Sequence, residues 1–268
     1  AFYNRVKVGH VEAGLRTWDK WQPFPEEINR KVIGAVSDIH FAPTGRAREN
    51  LLAENVPDEN IVVTGNTVID ALLWVANSKP SEDAEALLES LGIDEDQRLI
   101  LVTAHRRENH GEPLRNICSA LKEIVLRRPD EVRIVYPVHL NPNVWEPVHR
   151  MLGDVPGVIL LRPLEYEPLV HLMKRAWLIL TDSGGIQEEA PALGVPVLVL
   201  RNTTERPEGI EAGTAKLVGT DRGKIIEEVF RLLDDPEERV RMSRAVNPYG
   251  DGAASIRIVD ALLNHSST

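Results

Sequence analysis

The chain has a single cysteine, Cys118, among its 268 residues, which excludes an intramolecular disulfide and any zinc site built from clustered cysteines. Apolar helical neighbours mark that thiol as buried, in keeping with a reducing compartment. Long hydrophobic runs are also missing. No stretch approaches the ~20 apolar residues that a membrane-spanning helix needs, so no membrane role is expected. The N-terminus lacks the charged-then-apolar order of a secretory signal, and a cytoplasmic location is expected. Basic residues are the minority, 31 Lys and Arg against 41 Asp and Glu, for a net charge of −10. A chain so acidic has no broad basic face with which to displace counterions from a polyanion, which argues against nucleic acid as a partner. A small anion is another matter, because a few arginines focused in one cleft reverse the local potential of an acidic protein. Arg16, Arg106, Arg107 and Arg206 are the candidates. Repeats and low-complexity tracts are absent, and the acidic run at 234–238 reads as a solvated helix junction.

What the chain has in abundance is alternation. From residue 98 to about 220, apolar runs at 99–102, 132–135, 158–161, 178–180, 197–200 and 216–218 are separated by segments such as 113–127 and 167–175, whose apolar residues recur at helical spacing. This pattern predicts a parallel, doubly wound sheet covered by helices on both faces. Residues 1–77 repeat the style on a smaller scale, with strands at 6–8, 39–41 and 61–63 and a helix at 67–76. Between them, 78–97 is rich in Ser, Pro and acidic residues around a helix-like 84–91 and reads as a linker. A sharp break at Asn247-Pro248-Tyr249-Gly250-Asp251-Gly252 precedes a final helix at 253–263, and the segment 248–268 is expected to cross back to the first lobe. The fold class is therefore α/β, with two Rossmann-like lobes, 1–77 and 98–247, flanking a cleft. With three strands the first lobe looks incomplete. A start at Ala1-Phe2-Tyr3-Asn4-Arg5, without methionine, reads as part of a longer chain.

The segment Thr181-Asp182-Ser183-Gly184-Gly185-Ile186-Gln187-Glu188-Glu189 joins an apolar strand to a helix through small residues. Glycines permit close backbone approach, Ser183 offers a hydroxyl, and the first N–H groups of a helix lack internal partners, so a phosphate is stabilised there. Glu188 and Glu189, one turn on, are placed to accept hydrogen bonds from ribose hydroxyls. The plainer alternative is a tight turn with Ser183 capping the helix.

Three further segments carry candidate chemistry. Thr103-Ala104-His105-Arg106-Arg107-Glu108-Asn109 puts a histidine and two arginines at the carboxyl end of a strand, where an imidazole can move a proton and a guanidinium can hold a phosphate. Gly9-His10-Val11-Glu12-Ala13-Gly14-Leu15-Arg16-Thr17 follows an apolar strand, and Glu12, flanked by small residues, is expected to be partly desolvated and active near neutral pH. Pro23-Phe24-Pro25-Glu26-Glu27-Ile28-Asn29-Arg30 opens a helix, where acidic residues are also what the helix dipole alone favours. A fourth cluster, Asn202-Thr203-Thr204-Glu205-Arg206-Pro207-Glu208, follows another strand and is expected to close over the ligand. Pro163-Leu164-Glu165-Tyr166 could line a base pocket, and His139 also stands at a strand end.

Taken together, His10-Val11-Glu12-Ala13-Gly14-Leu15-Arg16-Thr17, Pro25-Glu26-Glu27-Ile28-Asn29-Arg30, residues 103–109, Asp182-Ser183-Gly184-Gly185-Ile186-Gln187-Glu188-Glu189 and Thr204-Glu205-Arg206-Pro207-Glu208 closely resemble the non-hydrolysing UDP-N-acetylglucosamine 2-epimerases, over essentially the whole chain. The resemblance implies the glycosyltransferase-B architecture. It also implies interconversion of UDP-GlcNAc and UDP-ManNAc by anti elimination and re-addition of UDP, for cell-surface polysaccharide synthesis, with no nicotinamide or other cofactor and no metal. Glu12, Glu26 and His105 match the acid/base and leaving-group positions. Ser183, Gly184, Gly185, Glu189 and Arg206 match the segments that hold the diphosphate and ribose. Arg106 and His139 resemble positions that contact a second, activating UDP-GlcNAc, and the family usually forms homodimers. Members of the family begin with a further βαβ stretch that supplies an arginine and a catalytic aspartate. The alternatives left open are a glycosyltransferase of the same fold and a shortened, non-catalytic UDP-sugar binding protein.

Overall fold

The computed structural model describes residues 1–21, 24–94 and 96–265, the side chain of His265 excepted. Pro23 of the expected helix opening, Glu95 of the expected linker and the last three residues of the expected 248–268 segment lie outside the described residues. Along the chain run β1 (Gly9–Val11), α1 (Glu26–Val36), β2 (Ile39–Ala42), α2 (Gly45–Ala53), β3 (Ile61–Val63) and α3 (Thr67–Asn77). Then come α4 (Glu82–Ser90), β4 (Arg98–Thr103), α5 (Glu112–Arg127), β5 (Val132–Pro137), α6 (Pro142–Leu152), β6 (Val158–Leu161), α7 (Tyr166–Arg175) and β7 (Leu178–Thr181). They are followed by α8 (Gly184–Ala192), β8 (Val197–Val199), α9 (Pro207–Glu211), β9 (Ala215–Leu217), α10 (Arg222–Asp234), α11 (Pro236–Arg244) and α12 (Ala254–His265). Two compact units divide these elements: Ala1–Leu73 with Asn247–Thr268, and Trp74–Val246. None of the described helices is long and apolar enough to cross a membrane.

The larger unit is built on a six-stranded sheet in the order β6-β5-β4-β7-β8-β9, with every pairing parallel. A parallel sheet is covered on both faces, so its strands read as continuous apolar runs. In β4, Leu99, Ile100, Leu101 and Val102 are all buried. Helix α5 turns Leu114, Ile117, Cys118, Leu121 and Ile124 inward, at helical spacing. Burial pushes the Cys118 thiol up to about 12, which makes it an inert core side chain. Strand order reverses between β4 and β7, where Thr103 pairs with Thr181. In such sheets the crevice outside the strand ends at this reversal is where ligands bind.

The smaller unit has a three-stranded parallel sheet, β1-β2-β3. One core patch gathers Ala13, Ala42, Ala47, Leu51 and Ile61, and another gathers Ile39, Phe41 and Ile258 of α12. Asp70 of α3 accepts hydrogen bonds from the first-turn N–H groups of Ala254 and Ser255 and so caps α12.

Several elements differ from the sequence reading. The first strand begins at Gly9 rather than at 6–8, because Val8 is engaged by the turn before β2: its N–H donates to Asp38 Oδ2 and its carbonyl accepts from Asp38 and Ile39. His10 is therefore inside the strand. Residues 78–97, expected as a linker, carry α4 and fall within the larger unit. They are held there by the Ser81 N–H on Glu167 (2.7 Å) and by Arg175 on the Ile93 carbonyl (3.3 Å). Helices α2, α6, α10 and α11 add to the pattern that the sequence suggested.

Candidate functional site

The end of β7 and the start of α8 form the heart of the larger unit's site. Ser183 is the N-cap residue, but its side chain makes no cap hydrogen bond, which corrects the capping alternative. Its N–H instead donates to Thr181 Oγ1 at 2.9 Å, and that hydroxyl lies 2.6 Å from Thr103 Oγ1 on the neighbouring strand. The turn is thus fixed from below, and the helix's own N–H groups, unbonded within the helix, face the crevice end. Gly184 leaves the space that Arg206 and Glu205 occupy: a Cβ would lie 2.5 Å from Arg206 Nη1 and 2.9 Å from Glu205 Oε1, so either side chain would have to shift. Gly185 has only Glu189 Oε1 near, at 3.6 Å from a Cβ.

Across the strand reversal, His105 and Arg106 stand in the turn after β4. Both backbone N–H groups donate to the carboxylate of Asp182, His105 at 2.9 Å and Arg106 at 2.8 Å to Oδ2. The His105 ring stacks on that of His139, with centroids 5.3 Å apart and planes 14° from parallel. His139 Nδ1 accepts from the Asn141 N–H, which leaves its Nε2 carrying the proton of the neutral ring. Burial is the main cause holding the His105 imidazole below the usual histidine range; Asp182 opposes it, while His139, Arg106 and His110 add to it. The lowering favours the neutral ring, the form that can accept a proton, although the side chain itself stays 40% exposed. Arg107 is exposed in the same turn.

The loop after β8 adds a chain of charges, buried except at its Glu108 end. Arg206 donates from Nε to Glu188 Oε1 (2.5 Å) and from Nη1 to Glu205 Oε1 (2.6 Å), while Arg201 joins Glu205 (2.8 Å) to Glu108 (2.7 Å). Flanked by the two guanidiniums, the Glu205 carboxyl is held down at about 2 despite burial. Thr204 Oγ1 donates to Gln187 Oε1 and pins this loop to α8. Glu188, expected to face a ribose, is instead a buried partner of Arg206, because its side chain lies where Arg206 crosses α8. At Glu189, burial and then the neighbouring Glu188 push the carboxyl up to about 7. Burial, and after it the Glu189 carboxylate, push the Tyr166 phenol up to about 12.

The smaller unit holds Glu12 and Glu26. Glu12 sits at the end of β1 with φ 63°, in the left-handed region, and is exposed rather than desolvated as expected. The turn aims its side chain outward, where Asn66 Nδ2 reaches Oε1 at 3.3 Å. Glu26 begins α1 and is exposed. Its neighbour Glu27 is completely buried and accepts from the N–H groups of Thr17 (3.1 Å) and Trp18 (3.1 Å), which folds the loop after Glu12. Arg16, a candidate for anion binding, has no exposed side-chain surface and forms a bidentate pair with Glu54 at 2.9 and 2.7 Å. Its carboxylate partner answers its charge within the fold. In sequence, Glu27 stands with Glu26 as a candidate carboxylate, and Asp182 and Asn109 stand within motifs without an assigned role; the Thr-Asp-Ser step at a strand end was the available signal for Asp182. Among the described residues no group of three or more His, Cys, Asp or Glu is placed to hold a metal.

The family profile described as UDP-N-acetylglucosamine 2-epimerase matches residues 1–263. The UDP-N-acetylglucosamine 2-epimerase of Escherichia coli K12 is 59% identical over 99% of this chain and 71% of its own. That of Bacillus subtilis 168 is 55% identical over 99% and 68%. The crystal structure of UDP-GlcNAc 2-epimerase from Neisseria meningitidis bound to UDP-GlcNAc matches with a TM-score of 0.90 at 47% identity, covering 98% of this chain and 71% of that one. The Methanocaldococcus jannaschii UDP-GlcNAc 2-epimerase in complex with UDP-GlcNAc and UDP gives 0.80 at 35% identity, over 98% and 71%. The α/β fold with parallel sheets is that of glycosyltransferase-B type epimerases. On matches that run through both units, this chain belongs to the UDP-N-acetylglucosamine 2-epimerase family.

Proposed function

We propose that the chain interconverts UDP-N-acetylglucosamine and UDP-N-acetylmannosamine at C2 by eliminating UDP and adding it back. The observation that carries this reading is the start of α8 at the strand reversal, where Gly184 leaves room for Arg206 directly over the helix end. Backbone N–H groups at Gly184 and Gly185, the Ser183 hydroxyl and Arg206 would hold the diphosphate. Glu189 would accept hydrogen bonds from the ribose, with Tyr166 towards the base. The C2 proton is weakly acidic, so its removal has to be coupled to departure of UDP from C1. The products of that step are UDP and enzyme-bound 2-acetamidoglucal. Return of UDP to C1, with a proton delivered to the opposite face of C2, completes the reaction. Glu12 and Glu26 are assigned the proton transfers, and His105, a neutral imidazole, the charge developing on the leaving group. A second, activating UDP-GlcNAc at Arg106 and His139, a homodimer, and work in the cytoplasm where UDP-sugars are used belong to the same reading and rest on the family's habits.

Incubating the purified chain with UDP-GlcNAc in deuterium oxide tests it. Deuterium at C2 together with UDP-ManNAc is the expected result, and His105→Ala should abolish both. UDP binding without exchange would reduce the chain to a UDP-sugar binding protein, and sugar transfer to an acceptor without UDP-ManNAc would make it a transferase.

A further inference from the structure

The carboxylate of Asp182 has no part in the roles above, yet it is the most heavily bonded acid of the larger unit's site. It is fully buried at the end of β7, where an anion survives only if donors surround it. Oδ2 accepts from the N–H of His105 (2.9 Å), the N–H of Arg106 (2.8 Å) and Asn109 Nδ2 (2.9 Å), and Oδ1 takes a second branch from His105 at 3.1 Å. All of these donors belong to the turn after β4. That turn is therefore wrapped around a side chain of another strand. Asn109 also donates to the Leu200 carbonyl after β8, so the ends of three strands meet at one acid. Above it, the His105 ring keeps Nδ1 3.8 Å from Oδ1, beyond hydrogen-bond range.

We propose that Asp182 is the positioning residue of this site: its buried carboxylate fixes the backbone of His105 and Arg106 and thereby sets where the His105 imidazole stands, stacked on His139. The inference rests on the reading of His105 as a working member of the site. Two effects follow from one group. Backbone bonds hold the ring in place, and the negative charge favours the protonated ring, against the opposing influence of His139, Arg106 and His110.

The test is Asp182→Asn in the whole chain, with imidazole NMR titration of His105 and ring-to-ring contacts to His139 as readouts. The variant should keep its circular dichroism, lose the His105–His139 contact, and shift the His105 midpoint down by roughly one pH unit. Asn109→Ala, which removes one bond but no charge, should lower the melting temperature and leave that midpoint in place. An unchanged midpoint and an unchanged ring contact in Asp182→Asn would overturn the proposal and leave Asp182 a structural residue only. Should that variant not fold, amide exchange in the unaltered chain decides. His105 and Arg106 are expected to be protected as strongly as the core of β4, and rapid exchange at both would overturn the proposal. None of these readouts requires turnover, so a chain without C2 exchange would count against the epimerase reading alone.

Discussion

A hydrogen atom in place of a methyl group decides whether Arg206 can lie across the start of α8. Gly184→Ala places a Cβ 2.5 Å from Arg206 Nη1, so the guanidinium and its Glu205 partner must shift. Overpacking of this kind costs about 1–3 kcal/mol. Thermal unfolding should show that loss of stability, and, if Arg206 holds the diphosphate as proposed, calorimetry should show UDP affinity reduced as the guanidinium is displaced. Glu189 makes a pH-dependent prediction. Its carboxyl titrates at about 7 in the folded protein but near pH 4.3 when unfolded. Between those values the folded state holds a proton that the unfolded chain has released, so stability falls as pH rises through this window and levels off above it. The full effect is roughly 4 kcal/mol. Urea unfolding of Glu189→Gln should show a flatter stability profile between about pH 5 and 7. Ribose hydroxyls donate to the ionised carboxylate, so wild-type UDP affinity should gain on that of the variant as pH increases.

At the level of elements, the sheet of the larger unit was legible because parallel strands are apolar on both faces and cannot be mistaken for solvated loops. Helix α2 was not. Its sequence, Gly-Arg-Ala-Arg-Glu-Asn-Leu-Leu-Ala, offers only Ala47 and Leu51 to the core, and it is secured by the Thr44 cap on the Ala47 N–H, at 3.1 Å. Proline at 147 disguised α6, although Val144, Val148 and Leu152 share its buried face. In the candidate site, Ser183 and the glycines were legible as a candidate phosphate motif, whereas the bonding of Asp182 to Asn109 was not, because only strand order brings those two turns together. The bonding of Glu27 was hidden for a related reason: its donors lie ten and nine residues upstream, a separation that carries no periodic signal. Close approach of α2 yields a further prediction. Gly14 has φ +87°, and a Cβ there would lie 2.1 Å from the Ala47 carbonyl oxygen. Gly14→Ala should destabilise the smaller unit by about 3 kcal/mol or more, since a backbone atom cannot step aside. Amide exchange resolved by residue would show the loss in α2 and β2.

For the whole molecule, the two units differ in how much core they own. Among the described residues, the larger gathers an extensive cluster running through α5, α6, α10 and the central strands, whereas the smaller shows two short patches. The smaller should open first on heating, and a stepwise transition with early exchange confined to Ala1–Leu73 and Asn247–Thr268 is the expected observation. Every candidate for holding UDP lies in Trp74–Val246, so UDP should raise the later transition alone. At this scale the pairing of Arg206 has a further consequence. Its charge is already answered by Glu188 and Glu205, and the protein around it is anionic overall. In the proposed function, a diphosphate arriving there would compete with carboxylates instead of meeting a bare cation, and its hold would be correspondingly tempered. The proposed reaction, which lets UDP depart and then takes it back, would be served by such parity, with release and recapture close in free energy.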